Sequence, residues 1–209
     1  MLEARDLTCS KGDRLLFPPL SFQLRAGQML RVVAPNGHGK TSLLRTLCGL
    51  ARADSGAVWW RGTDIQRLGA GFRQHLLYLG HADALNDLLT PLENLRLLCQ
   101  AQALPATAAA CRDALCRMGL EAGLDLPVGV LSQGQRRRAV LARLLLHPAR
   151  ALWLLDEPFT ALDAATVAHL ARLLTRHCDD GGRVVLTTHQ DVPLERAPRV
   201  LDQIGRAHV

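Results

Sequence analysis

Apolar residues recur along this chain in two periods, and the switching between them lays out the fold. Residues 2–9 alternate at Leu2, Ala4, Leu7 and Cys9, which predicts a half-buried strand. A turn follows at Lys11-Gly12-Asp13-Arg14, and residues 17–24 form a second strand with Leu20, Phe22 and Leu24 facing one way. Arg25-Ala26-Gly27-Gln28 turns the chain into an apolar run at 29–34, interrupted only by Arg31. After a polar, glycine-rich stretch, Leu43, Leu44, Leu47 and Leu50 lie on one side of a helix that Gly49 ends. Residues 57–61 and 76–80 read as further strands. Trp59 and Trp60 point to opposite faces of the first of these, which suits one buried and one half-buried core tryptophan better than a cofactor stack.

From Thr90 the character changes. Thr90 as N-cap, Pro91 at the first position and Glu93 at the third start a helix carrying Leu92, Leu95, Leu98 and Cys99 at helical spacing. A second helix runs over about 106–118 with Cys111, Leu115 and Met118 on one face, ended by Gly119. A third covers 136–146 and is closed by Pro148. The block 90–130 holds no strand signal, so a small helical subdomain is expected at about 90–147, inserted into one α/β domain spanning 1–209. Whether its helices bind a partner helix or merely cap the core stays open. Residues 151–155, ALWLL, are almost wholly apolar and end in Asp156-Glu157-Pro158, the pattern of a buried central parallel strand with acids at its carboxyl end. A helix over 164–177 turns Val167, Leu170, Leu173 and Leu174 inward. The turn Asp179-Asp180-Gly181-Gly182 leads into another buried strand, 183–188, with His189 just past its end. Val200-Leu201 adds an edge strand, and the final residues fray.

Composition narrows the classes. At 209 residues and 48% hydrophobic content, the chain has enough apolar surface for one sizeable core and is not disordered. No uninterrupted apolar stretch reaches the roughly 18 residues of a membrane span, and the first residues lack the apolar centre of a secretion signal. The chain is therefore expected to stay in the cytosol, with any membrane role supplied by a partner. Six scattered cysteines show no zinc spacing and read as reduced thiols filling apolar space. The net charge of +6 leaves nucleic acid or lipid headgroups as partners, but the arginines are dispersed apart from Arg136-Arg137-Arg138 and carry no aromatic interleaving, so no direct nucleic-acid binding is expected. All but two of the 25 basic residues are arginine. Lysine at position 40 is then informative, because a compact ammonium fits a phosphate loop better than a guanidinium does.

That lysine sits in Ala34-Pro35-Asn36-Gly37-His38-Gly39-Lys40-Thr41-Ser42, between the third strand and its helix. The layout is that of a phosphate-binding loop: glycines turn backbone N–H groups toward phosphate oxygens, a helix N-terminus adds positive potential, Lys40 reaches the terminal phosphates of a nucleotide, and the Thr41 hydroxyl ligates Mg²⁺. Ala34 holds the place of the first glycine in G-x-x-x-x-G-K-[ST]. Asp156 offers a second Mg²⁺ contact, Glu157 a group to orient or deprotonate the attacking water, and His189 a contact to the γ-phosphate. Each is weak by itself; their order on separate strands is what carries the reading.

Leu131-Ser132-Gln133-Gly134-Gln135 resembles the L-S-G-G-Q signature of ABC-type ATPases. Residues 151–158 look like their Walker B strand, Thr160-Ala161-Leu162-Asp163 like their D-loop and Thr188-His189 like their H-loop. The resemblance covers nearly the whole chain. It implies an α/β fold with a P-loop NTPase core, that is, a mixed or parallel sheet with flanking helices, plus an N-terminal antiparallel β part. It also implies a head-to-tail homodimer in which ATP sits between one copy's phosphate loop and the Ser132, Gln133, Gly134, Gln135 loop of the other, with Asp163 nearby, Glu157 polarising water and His189 sensing the γ-phosphate. The segments 76–85, 89–98, 131–146, 155–163 and 184–190, with Phe159 after the proline and Gln190 after the histidine, are most similar to the ATP-binding subunits of the haem exporter of cytochrome c maturation. Such subunits hydrolyse ATP at the cytoplasmic face of the inner membrane, held peripherally by integral membrane partners.

The departures from the pattern are specific. Alanine at 34 adds strain if that position needs a positive φ. Ala82 stands where a glutamine is expected; Gln74 and His81 are the nearest polar substitutes, neither at the expected place. Lys11 stands where an adenine-stacking aromatic is common, and His38 is bulky for its loop. A weakly active or degenerate nucleotide-binding regulator, or the ATPase of a different transporter, therefore remain the alternatives.

Overall fold

The computed structural model describes residues 1–102, 106–147 and 150–202. The chain folds into two compact units: Met1–Gly80 with Ala149–Glu157 and Ala171–Val209, and His81–Pro148 with Pro158–Leu170.

The first unit contains two sheets. One is antiparallel, in the order β2-β1-β4-β5, from β1 (Leu2–Lys11), β2 (Arg14–Leu24), β4 (Ser55–Trp60) and β5 (Thr63–Asp64). The other is wholly parallel, in the order β6-β7-β8-β3-β9, from β3 (Met29–Val32), β6 (Leu76–Leu79), β7 (Leu152–Leu155), β8 (Arg183–Thr187) and β9 (Arg199–Leu201). Strands β7 and β8 are buried at every position, as strands in the middle of a parallel sheet are: β7 is apolar throughout, and β8 is apolar at 184–186 between buried Arg183 and Thr187. Helix α1 (Lys40–Leu47) contributes Leu43, Leu44 and Leu47 to one apolar cluster that also takes in Leu7, Phe17 and Trp60 from the antiparallel sheet and Leu152, Leu154 and Val185 from the parallel one. Two short helices, α2 (Ile65–Leu68) and α3 (Ala70–Arg73), lead into β6.

The second unit packs α4 (Pro91–Ala101), α5 (Ala108–Arg117) and α6 (Gln133–Leu146) on one another, with Leu95, Cys99, Cys111 and Leu115 buried among them. Thr90 and Glu93 form a reciprocal capping box, as the sequence indicates. Helix α7 (Ala164–Asp179) follows β7 in the chain.

Several details differ from the pattern reading. α1 ends at Leu47, and Leu50 is 60% exposed beyond the helix, because Gly49 at φ +75° breaks the period first. α6 begins three residues earlier than its run of arginines suggests, since Ser132 caps it and forms a second capping box with Gln135. Gln133, Gly134 and Gln135 are therefore the first helical turn and not a loop. Trp60 is buried against Phe72, while Trp59 lies half-buried on the other face under the Arg5 guanidinium. Pro148 and the last seven residues fall outside the described residues.

Candidate nucleotide site

The loop between β3 and α1 is built to hold an anion. Gly37 (φ +78°) and Gly39 (φ +86°) take backbone conformations that side chains resist. Gly39 is the N-cap of α1, brings no capping side chain, and no acidic residue stands in the first turn. The first N–H groups of α1 thus face outward as donors, reinforced by the helix dipole. Pro35, Asn36 and Gly37 are exposed; Ser42 is half-buried and its carbonyl accepts from Thr46. His38 folds back on the loop, its Nδ1–H donating to the Asn36 carbonyl at 3.0 Å. Ala34 does not take a positive φ, so the strain anticipated for alanine there does not arise.

Lys40 is only 8% exposed. Its ammonium donates to Ala34 O (2.8 Å), Pro35 O (3.3 Å) and Asn36 Oδ1 (3.4 Å), and reaches His189 Nε2 at 2.8 Å. Burial lowers the Lys40 pKa, while the carboxylates of Glu157 and Asp156 oppose the shift. The same Nε2 stands 3.3 Å from Glu157 Oε1. Donation by lysine needs a lone pair there, whereas an ion pair with Glu157 needs a proton. One proton therefore decides which neighbour His189 serves.

Asp156 and Glu157 follow β7 directly. Asp156 is 1% exposed and accepts from Thr41 Oγ1 through Oδ2 and from Thr187 Oγ1 through Oδ1, both at 2.7 Å. Glu157 takes a left-handed backbone, φ +48°, and its N–H donates to Thr187 Oγ1 at 2.9 Å. The His189 N–H donates to Glu157 Oε2 at 3.3 Å. Lys40, Thr41, Asp156, Glu157 and His189 are thus brought together at the carboxyl ends of β3, β7 and β8. Gln74 lies at the opposite end: it precedes β6, whose residues Leu76 and Leu79 pair with Leu152 and Leu155 of parallel β7. The whole four-residue length of β6, about 13 Å of strand, lies between that glutamine and the level of the acids.

Thr41 Oγ1 and Asp156 Oδ2 are hard oxygen donors 2.7 Å apart. Neighbouring ligands of an octahedral Mg²⁺ at 2.0–2.1 Å stand about 3 Å apart, so this pair fits that ion without rearrangement.

The second unit holds the other residues singled out in the sequence. Ser132 and Gln133 are exposed at the start of α6, with Gly134 and Gln135 half-buried behind them. A Cβ on Gly134 would lie 2.7 Å from the Ala161 carbonyl, so the first turn of α6 sits directly on the segment after Pro158. Arg137 Nε donates to Pro158 O, and Arg138 Nη1 meets Asp163 Oδ2 at 3.2 Å. Asp163 also caps Thr166 N (2.8 Å), and this bond first, with Arg138 assisting, holds its carboxyl below the usual aspartate range.

Thr187 lies within the segment 184–190, but neither motif nor periodicity gives it a role in this cluster. A hydroxyl that follows the apolar run 184–186 in a buried strand must find partners, and that demand is the signal the sequence does carry.

Known proteins match this chain over most of its length. The ABC transporter family matches residues 17–160. The cytochrome c biogenesis ATP-binding export protein CcmA of Aromatoleum aromaticum is 60% identical over 202 residues, covering 97% of this chain and 94% of that protein. The protein of the same name from Yersinia pseudotuberculosis is 50% identical over 192 residues, 92% of this chain and 87% of the other. Among solved structures, a dimeric bacterial ABC transporter cassette shares the fold with a TM-score of 0.83 at 22% identity, covering 99% of this chain and 97% of that one. An ATP-binding cassette dimer in a post-hydrolysis state with ADP and Pi gives 0.79 at 24% identity, over 91% and 88% of the two chains. The chain belongs to the ABC transporter family, among the cytochrome c biogenesis ATP-binding export proteins.

Proposed function

We propose that the chain is the ATP-binding and ATP-hydrolysing subunit of an ABC complex that drives the haem-exporter step of cytochrome c maturation. The observation that carries this is the meeting of Lys40, Thr41, Asp156, Glu157 and His189 at one edge of a parallel sheet. Lys40 and the first N–H groups of α1 bind the phosphates. Thr41 and Asp156 hold Mg²⁺, which when bound neutralises phosphate charge. Glu157 orients the attacking water, and His189, whose Nε2 already meets both Lys40 and Glu157, contacts the γ-phosphate. The alanine at position 34 gives no support to a degenerate site, since its backbone is unstrained.

Ser132, Gln133 and Gly134 at the N-terminus of α6 supply a second anion-binding helix end. In a head-to-tail homodimer this end closes on the ATP held by the other copy, with Asp163 beside it. No helix among the described residues is long and apolar enough to cross a membrane. In this reading, membrane subunits hold the dimer peripherally at the cytoplasmic face of the inner membrane. The exposed Leu88 (85%) and Val130 (70%) of the second unit give such partners apolar surface.

Replacing the water-orienting carboxylate tests the assignment. Glu157→Gln, assayed with the membrane subunits, should cut ATP turnover by about 10²-fold or more while ATP-dependent dimers accumulate on a sizing column. Turnover at the wild-type rate would remove Glu157 from the mechanism.

A further inference from the structure

Every position of β8 is buried, and its last residue, Thr187, is 0% exposed. β7 and β8 run parallel with Leu155 opposite Leu186, so Thr187 stands level with Asp156. At this level the backbone ladder stops, because Glu157 has turned to φ +48°. The Thr187 hydroxyl takes over: it accepts from the Glu157 N–H at 2.9 Å and donates to Asp156 Oδ1 at 2.7 Å. A single oxygen thus ties the backbone of the water-orienting glutamate to the carboxylate of the metal-holding aspartate. The other oxygen of that carboxylate, Oδ2, meets Thr41.

We infer that Thr187 is a positioning residue that sets how Asp156 presents itself to the metal and where Glu157 stands. This inference rests on the ATPase reading above. With Oδ1 held back toward β8, only Oδ2 faces Thr41, and the carboxylate offers one oxygen. One-oxygen ligation suits Mg²⁺, which demands near-ideal octahedral geometry; two-oxygen ligation suits Ca²⁺, which accepts seven or eight ligands. Thr187 therefore favours Mg²⁺ over Ca²⁺ through a residue that touches neither. Valine has threonine's shape without its hydroxyl, so Thr187→Val removes the hold on Oδ1 and releases the Glu157 N–H while filling the same space. Serine restores the hydroxyl.

The test compares wild type, Thr187→Val and Thr187→Ser by ATP binding at increasing Mg²⁺ or Ca²⁺, and by turnover. Binding of ATP in a chelator should be the same for all three. Thr187→Val should need about tenfold more Mg²⁺ for half-maximal metal-dependent binding, lose Mg²⁺-over-Ca²⁺ preference, and fall about tenfold or more in kcat. Thr187→Ser should stay within about threefold of wild type, a small part of the effect expected when such a hydrogen bond is lost. Thermal melting reports whether each variant is folded. Two results overturn the role of Thr187 alone: a valine variant with the wild-type metal requirement and kcat, or a serine variant as impaired as valine, which would place the effect in side-chain shape. A wild-type protein that neither responds to metal nor hydrolyses ATP with its membrane partners overturns the ATPase reading itself.

Discussion

At position 39 a side chain is excluded twice over: φ is +86°, and a Cβ would fall 2.9 Å from Leu16 Cβ and 3.0 Å from Phe17 Cδ1. Gly39→Ala is expected to cost roughly 2 kcal/mol or more, the left-handed penalty plus a contact that Leu16 and Phe17 must yield to. It should appear as a lowered urea midpoint at unchanged slope, with weakened ATP binding. Such residues are legible in the sequence, because a glycine, a lysine and strand-end acids each announce a chemistry their neighbours lack. Ala34 misleads, since the motif cannot reveal that its backbone is ordinary. Thr187 escapes notice for a different reason. A β-branched residue at a strand end already has a sufficient explanation in strand propensity, and only the register of β7 against β8 puts its hydroxyl beside Asp156.

Elements are legible where their ends carry chemistry. Thr90 with Glu93 marks α4, whereas the start of α6 reads three residues late because the arginine run looks like its first turn. The short helices α2 and α3, four residues each, are too brief to show a period. A further element-scale feature concerns α7 and β7. His177 of α7 stacks on Trp153 of β7, with ring centroids 3.7 Å apart and planes within 4°. Gly182 leaves the space, since a Cβ there would fall 2.2 Å from His177 Nε2. Burial pushes the His177 pKa from 6.5 down to about 4. The unfolded chain therefore binds this proton first as pH falls, so stability present above about pH 6.5 is lost as the pH drops toward 4. The full loss is on the order of 3 kcal/mol. His177→Phe keeps a stacked ring and should flatten that part of the stability–pH curve, read by denaturant titrations of the two proteins at matched pH between 4 and 7.

For the molecule as a whole, the pattern of strands and helices gives the α/β class but not the separation of its strands into two sheets. Which strand pairs with which is a long-range matter: β3 lies between β8 and β9, which follow it by about 150 residues or more. Local periodicity contains no record of such pairings. The left-handed backbone of Glu157 has a consequence at this scale. A non-glycine residue in that conformation carries strain of about 1 kcal/mol. Glu157→Gly should therefore melt at the same or a higher temperature than the native chain while hydrolysing no ATP, with calorimetry and a turnover assay on one preparation as the check. With Glu157 as the water-orienting group proposed above, a search for sturdier versions of this protein, scored on heat resistance alone, would drift toward inert ones, because the backbone and the reaction would want different residues at the same position.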